Sequence, residues 1–180
     1  METMEGLIVL ATLIGSLFIY ALSIYIRLWY CKKKLKQHIH VNDLERALPV
    51  HAVWVYKLLQ ELSLIAAIHP PKVFVYRAEL PNAFVAAMPL RSEIYIADEL
   101  FEEANASHDP IDTLAQTLAH EIAHLKLNHA FTHAIYTYLS YQHIPMLSDL
   151  AKNKLRTIEQ EADDEAERIV SQLHNFNSSL

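Results

Sequence analysis

The chain has 180 residues, of which 21 are acidic and 15 are basic, for a formal net charge of −6. This acidic balance argues against nucleic acid as a partner, because nucleic-acid binding needs a basic face. Only two glycines occur, Gly6 and Gly15, so the glycine-rich phosphate loops of nucleotide enzymes are excluded. The single cysteine, Cys31, excludes an internal disulfide.

The first predicted element is a membrane span. Leu7–Ile26 contains 20 residues without a charge, which at about 1.5 Å per residue crosses the roughly 30 Å of bilayer hydrocarbon. A cleaved signal peptide is the alternative, but Glu2 and Glu5 stand where such a peptide carries basic residues. The lysine-rich segment 32–36 follows the span, so the positive-inside rule predicts a single-pass membrane protein with most of the chain in the cytoplasm. These lysines are expected to contact anionic lipid head groups.

The remaining pattern predicts an α+β fold, mostly helical with a short β-sheet, behind the N-terminal transmembrane helix. The predicted parts are a transmembrane anchor with a basic juxtamembrane segment (1–36), a linker (37–49) and one folded domain (50–180). A helix is expected over Val50–Ala67, ended by Pro70 and Pro71. Alternating apolar and aromatic residues then predict three strands, followed by a short helix: Val73–Tyr76, Ala83–Ala86, Ile94–Ala97 and Glu99–Ala104.

The next predicted helix, Ile111–Leu127, carries the sequence HExxH at residues 120–124. Asp109 before Pro110 is typical of a helix start. On a helical wheel one side is apolar, with Ile111, Leu114, Leu118, Ile122 and Leu125. His120 and His124 fall together on the opposite side, one turn apart, where two imidazoles can share a zinc ion. Glu121 lies between the two sides and is the predicted general base, acting on a zinc-activated water.

A catalytic zinc site needs a third protein ligand, which the sequence offers downstream. After further helical residues through Ser140 and a break at Pro145, a helix is predicted over Leu155–Leu173. Its apolar side consists of Leu155, Ile158, Ala162, Ala166, Ile169 and Leu173.

Glu159 and Asp163 lie at the edge of this apolar side, whereas Glu161, Asp164, Glu165 and Arg168 are expected to face solvent. Glu159 is therefore the predicted third ligand, and Asp163 is placed to hydrogen-bond a ligand histidine. An ordinary acidic amphipathic helix is the alternative reading of this segment.

Three blocks of sequence resemble the membrane-associated zinc metallopeptidases that include the CAAX-prenyl protease, HtpX and the mitochondrial stress protease Oma. They are Pro81–Val85 with the following strand, the HExxH segment with a further His129, and the segment from Arg156 to Asp163, which matches the family's ExxxD helix. The resemblance implies a zincin-like domain of the gluzincin type with one Zn²⁺ per chain. It implies His120, His124 and Glu159 as ligands, Glu121 as the base and Asp163 as the residue behind a ligand. It also implies that Asn82, Ala83 and Phe84 bind substrate as an added strand.

The sequence leaves the oxyanion-stabilising residue open, because only 21 residues follow Glu159. Five residues are candidates: His133, Tyr136, Tyr138, His143 and His174. The favoured function is a membrane-anchored zinc endopeptidase that cuts a protein or peptide near the bilayer. The alternative is a zinc-binding regulatory or scaffold module without turnover, and a third reading is a tethered helical protein without metal. Oligomeric state stays open.

Overall fold

The computed structural model describes residues 10–16, 18–20, 22–23, 25–26, 29–30, 33, 42–86, 93–141 and 145–178, without the side chains of residues 130, 138 and 177. The chain divides into two compact units, Met1–His38 and Ile39–Leu180.

In the first unit the described residues are helical, and their large apolar side chains are exposed, as in Phe18 at 67% and Ile19 at 68%. Among the residues that the structure describes, no helix is both long and apolar enough to traverse a bilayer. Six residues of the predicted span Leu7–Ile26 (7–9, 17, 21 and 24) lie outside the described residues, as does most of the basic segment 32–36.

The second unit contains four strands and six helices within its described residues. In chain order they are β1 (Asn42–Asp43), α1 (Leu44–Ala47), α2 (Pro49–Ala66), β2 (Lys72–Tyr76), β3 (Ala83–Val85), β4 (Glu93–Ala97), α3 (Asp98–Ala106), α4 (Pro110–Lys126), α5 (His129–Ser140) and α6 (Pro145–Ser178). The prediction of a mostly helical α+β domain with a short sheet is confirmed.

The sheet has the order β1-β2-β4-β3. β2 and β4 are parallel, while β1 and β3 pair antiparallel on the two outer sides. All five residues of β4 are buried because this strand has a neighbour on each side and side chains packed over both faces. β3 is left as an edge strand of three residues.

The two faces of the sheet differ. Val73, Val75, Ile94 and Ile96 belong to the main core with the helices. On the opposite face the rings of Phe74, Tyr95 and Phe84 stack in series at 5.4 Å and 5.1 Å, and the Tyr95 hydroxyl donates to Glu93 Oε2 at 2.7 Å. The main core therefore fixes the inner face of the sheet against the helices that carry the HExxH and ExxxD sequences.

Helix α4 passes through this core and contacts α2, α3, β3 and α6. Leu114, Leu118 and Ile122 are fully buried, as the helical wheel predicted, but Ile111 is 60% exposed because it sits in the first turn, beyond the core. The predicted start is present: Asp109 Oδ1 accepts a hydrogen bond from the Asp112 amide at 3.0 Å, and Pro110 is the first helical residue.

Two elements differ from the prediction. Residues 37–49 were expected to be a linker, but β1 and α1 lie there, and Leu44 is fully buried. The last helix begins at Pro145 and runs for 34 residues, although the pattern predicted a start near Leu155. Pro145 lies in the first turn, where its missing amide hydrogen is not needed, so it begins this helix. The predicted break is present, since α5 ends at Ser140 and α6 begins at Pro145.

Candidate metal and catalytic site

The two histidines of the HExxH sequence share one side of α4, because residues four apart on a helix are one turn apart. His120 Nε2 and His124 Nε2 lie 3.1 Å from each other. The other side of the helix is held by the buried core, so the imidazoles are fixed toward the open side. His124 is buried and His120 is partly exposed.

Glu159 on α6 reaches this pair. Its Oε2 lies 3.4 Å from His120 Nε2 and 3.6 Å from His124 Nε2. Glu161, its neighbour on the same helix, turns instead to His129, with Oε2 3.1 Å from Nε2. The structure thus brings together the three side chains that the sequence singled out, and Glu161 is not among them.

Asp163 lies behind the first histidine. Its Oδ1 is 2.8 Å from His120 Nδ1, which places the carboxylate against this side of the ring. The other nitrogen, Nε2, lies 3.1 Å from His124 Nε2 and 3.4 Å from Glu159 Oε2. An imidazole with its proton on Nδ1 has its lone pair on Nε2, the atom that a metal ion would use here.

The three converging atoms suit a cation. Burial lowers the pKa of His124 to about 4, more than the nearby Glu159 raises it, so this ring is neutral at neutral pH. Ligands about 2.0–2.1 Å from a tetrahedral zinc ion lie roughly 3.3–3.4 Å apart. The observed separations of 3.1, 3.4 and 3.6 Å match that spacing. Among the described residues, this trio forms the one group whose ligand atoms are close enough to hold a metal ion.

Glu121 is buried beside the trio, with only 7% of its surface exposed. Burial raises the pKa of its carboxyl to about 7, and Glu159 raises it as well, while His120 and the hydrogen bond from the Val85 amide lower it. A carboxyl group with a pKa near neutrality can both accept and return a proton.

A cleft of about 650 Å³ opens over these groups. Asn82, Ala83 and Phe84, which the resemblance implied for substrate binding, all line it, together with Glu121 and the metal trio. The Asn82 carbonyl and the Ala86 amide bond to β4, so the backbone groups of the odd-numbered residues Ala83 and Val85 point away from β4. The outer edge of β3 therefore faces Glu121, whose carboxyl accepts the hydrogen bond of the Val85 amide.

The sequence profile of Peptidase family M48 matches residues 49–177. The chain belongs to this family.

A relative from Desulfatibacillum aliphaticivorans, a Protease HtpX homolog, is 29% identical over 99 residues. The match covers 54% of this chain and 29% of that relative. The chain therefore spans less than a third of the length of this relative. No solved structure matches the chain. The family and the relative support protease activity of the metalloprotease class.

His133 is one of the five residues that the sequence left open as candidates for stabilising the oxyanion. It lines the cleft, and its Nε2 lies 3.1 Å from Glu159 Oε1. Of the other open candidates, His174 pairs with Asp112 at 3.0 Å, while His143 and the Tyr138 side chain lie outside the described residues. The sequence did contain a signal for His133: it lies four residues after His129, a spacing that places both rings on one side of a helix.

For a second carboxylate of α6, the helical wheel predicted the wrong exposure. Glu165 was expected to face solvent, but its side chain is only 16% exposed. Its Oε1 lies 2.7 Å from Lys126 Nζ and 2.6 Å from Arg168 Nη2. Hydrogen bonds from Arg168 and Lys126 hold the pKa of Glu165 at about 2, although partial burial opposes them. This ion pair joins the end of α4 to α6.

Proposed function

We propose that this protein is a zinc-dependent endopeptidase with Glu121 as its general base. The observation that carries the proposal is the convergence of His120, His124 and Glu159 beside Glu121, at the outer edge of β3. Membership of Peptidase family M48 supports the same function. We also propose that its substrate is a protein or peptide near the membrane.

The residues of the chain have separate tasks in this proposal. His120, His124 and Glu159 hold the ion, and Asp163 keeps the His120 lone pair turned toward it. Zinc, when bound, supplies a Lewis acid that polarises a peptide carbonyl and lowers the pKa of water toward neutrality. Glu121 takes the proton of the attacking water and passes it to the leaving amine.

The substrate is an extended peptide that adds to β3 as a strand. The backbone groups of Ala83 and Val85 point to the side where such a strand would lie, although the Val85 amide donates to Glu121 in the free chain. Main-chain hydrogen bonds of this kind bind peptides with little dependence on side chains. Asn82 and Phe84 line the cleft and contact the side chains of the peptide.

The test of the mechanism is Glu121→Gln. The variant keeps the shape of the base but cannot accept a proton, so we expect full zinc content and a loss of peptide cleavage of about 10²–10⁴-fold. Zinc is measured by elemental analysis and cleavage with casein or a fluorogenic peptide. Unchanged cleavage by the variant would remove Glu121 as the base. A wild-type protein with zinc but without turnover, in lipid as well as in solution, would favour the regulatory or scaffold module.

We also propose that residues 1–36 anchor the peptidase domain in a membrane, with this domain on the cytoplasmic side. The support is the uncharged segment Leu7–Ile26, the exposed apolar side chains of its described residues and the membrane association of the peptidases that the sequence resembles. Leu13→Arg with Ile19→Arg should release the full chain into the soluble fraction, because each arginine costs roughly 2.5–3.5 kcal/mol at the centre of a span.

The matched control is Val50→Arg with Val53→Arg, since these two residues of α2 are 82% and 78% exposed. Extraction of membranes with alkaline carbonate separates the outcomes. A wild-type chain that is extracted as readily as the Leu13/Ile19 variant is not anchored by this segment.

A further inference from the structure

His133 meets Glu159 on the oxygen that does not face the histidine pair. Glu159 Oε2 points to His120 and His124, whereas its Oε1 lies 3.1 Å from His133 Nε2. Each oxygen of the carboxylate therefore has its own set of partners. A ligand carboxylate held in this way presents one oxygen to the ion and uses the other for a hydrogen bond.

The chemistry of the two groups sets the direction of a hydrogen bond across this contact. A carboxylate only accepts, so the donor would be His133 Nε2. A ring with its proton on Nε2 has an acceptor at Nδ1, and Thr137 Oγ1, one turn further along α5, lies 3.3 Å from that atom. Thr137, His133 and Glu159 thus lie in series, and the last contact, at 3.1 Å, is with the proposed zinc ligand.

The backbone holds His133 at this position. Helices α5 and α6 run antiparallel, with His129 against Glu161, His133 against Glu159, and the Ser148 hydroxyl donating to the Ser140 carbonyl at 2.9 Å. His129 is 7% exposed, so its pair is a fixed contact one turn before His133. His133 itself is 41% exposed and lines the cleft, and its side chain is not needed to fill the core.

From this geometry we infer that His133 is a positioning residue for Glu159. It donates to Oε1, keeps Oε2 turned toward His120 and His124, and thereby raises the affinity of the site for zinc. This inference rests on the proposed function, because it concerns the same metal site. His133 is not a member of the metal trio among the described residues, so it acts through Glu159 and not on the ion.

The test compares zinc affinity in His133→Phe and His133→Gln. Phenylalanine removes the donor, and we expect a loss of affinity of about 10–100-fold, which is the usual effect of removing a partner behind a ligand. Glutamine can still donate, so it should recover most of the affinity. His174→Phe and His174→Gln form the matched control, because His174 pairs with Asp112 and should leave zinc binding unchanged. Affinity is measured on the full chain by competition with a chromogenic chelator.

A second readout needs neither metal nor activity. In the metal-free protein, ¹⁵N spectra of the histidine side chains should show His133 with its proton on Nε2, and Thr137→Val should reduce that preference and weaken zinc binding in the same direction. Circular dichroism of each variant verifies folding. If His133→Phe does not fold, two other results test the inference: the zinc affinity of Thr137→Val and the tautomer of His133 in the wild-type protein.

The outcomes separate the two proposals. If wild-type protein binds no zinc, the proposed function fails. If wild-type protein binds zinc and His133→Phe binds it equally well, the inference is overturned while the proposed function stands. A variant with unchanged affinity but a lower kcat would also overturn it, since His133 would then contact the substrate. Equal losses in the phenylalanine and glutamine variants would assign the effect to packing.

Discussion

Two carboxylate sites on α6 lie six residues, or about 9 Å of helix rise, apart and are stabilised differently. Glu165 contacts the permanent cations Lys126 and Arg168. Among the residues that the structure describes, Glu159 pairs with the imidazoles of His120, His124 and His133, and His124 is neutral at neutral pH. The first site has its counter-charges within the chain. At the second, the proposed function has a metal ion supply the positive charge, so the two sites should respond differently to substitution.

The strongest test of this comparison is Glu159→Gln. We expect the loss of stoichiometric zinc binding, a larger effect than the roughly 10–100-fold expected for residues behind a ligand. Glu161→Gln is the control, because Glu161 is two residues away and pairs with His129 outside the trio. Titration with zinc, followed by elemental analysis after gel filtration, measures both. If Glu159→Gln retained zinc and Glu161→Gln lost it, the third ligand would be Glu161 and not Glu159.

Asp163→Ala should have the next largest effect. Without the acceptor at 2.8 Å from Nδ1, the His120 ring loses the partner that fixes its tautomer and orientation. We expect zinc affinity to fall about 10–100-fold, and Asp163→Asn to lose less because its side-chain oxygen still accepts. Asp164→Ala, one residue on and exposed, serves as the control. Competition with a chelator gives the zinc affinities of the three variants. Equal affinities for Asp163→Ala and Asp164→Ala would contradict the role of Asp163.

Glu165→Gln should affect stability and leave zinc affinity unchanged. Removing the charge leaves Lys126 and Arg168 without their shared partner, and because both cations are partly exposed we expect a loss of about 1 kcal/mol in the free energy of unfolding. Urea unfolding of the metal-free chain measures it against Glu167→Gln, an exposed neighbour. A change in zinc affinity without a change in stability would mean that the two carboxylate sites do not have separate roles.

The smallest effect is the dependence of that stability difference on pH. The pKa of Glu165 is lowered from 4.5 to about 2 in the folded chain, chiefly by the hydrogen bond from Arg168. Its stabilisation is therefore fully present above the unfolded pKa of 4.5 and is lost as the pH falls toward 2. The difference between wild type and Glu165→Gln should be constant at neutral pH and shrink over this acid range. A difference that grows as the pH falls would contradict the assignment.

Local patterns predicted much of the domain. The apolar repeat of α4, its Asp109 cap and the spacing of His120 and His124 depend on neighbours within one or two turns, so they could be read from the sequence. The same reasoning preferred Glu159 over Glu161, because the angle around a helix decides which side chain can turn inward. These features follow from helix geometry and do not depend on how distant segments pack.

Other features could not be predicted in this way. β1 and α1 are too short to show a period, and Leu44 is buried through contacts with the rest of the domain. Glu165 lies on the side of α6 that the wheel assigned to solvent, but the end of α4 brings Lys126 against it. His133 was one of five candidates for stabilising the oxyanion, and its contact with Glu159 depends on the antiparallel packing of α5 against α6.

The sequence by itself determined the chemistry available to this protein: two imidazoles and a carboxyl group on one helix, and two further carboxylates on another, each with its side of the helix set by 3.6-residue periodicity. Only the tertiary structure decided that these helices meet with Glu159 within 3.6 Å of both histidines, that the outer edge of β3 faces Glu121, and that His133 reaches the second oxygen of Glu159. The physical reason is that helix periodicity fixes directions around one axis, whereas the distances between two axes come from the packing of a shared core.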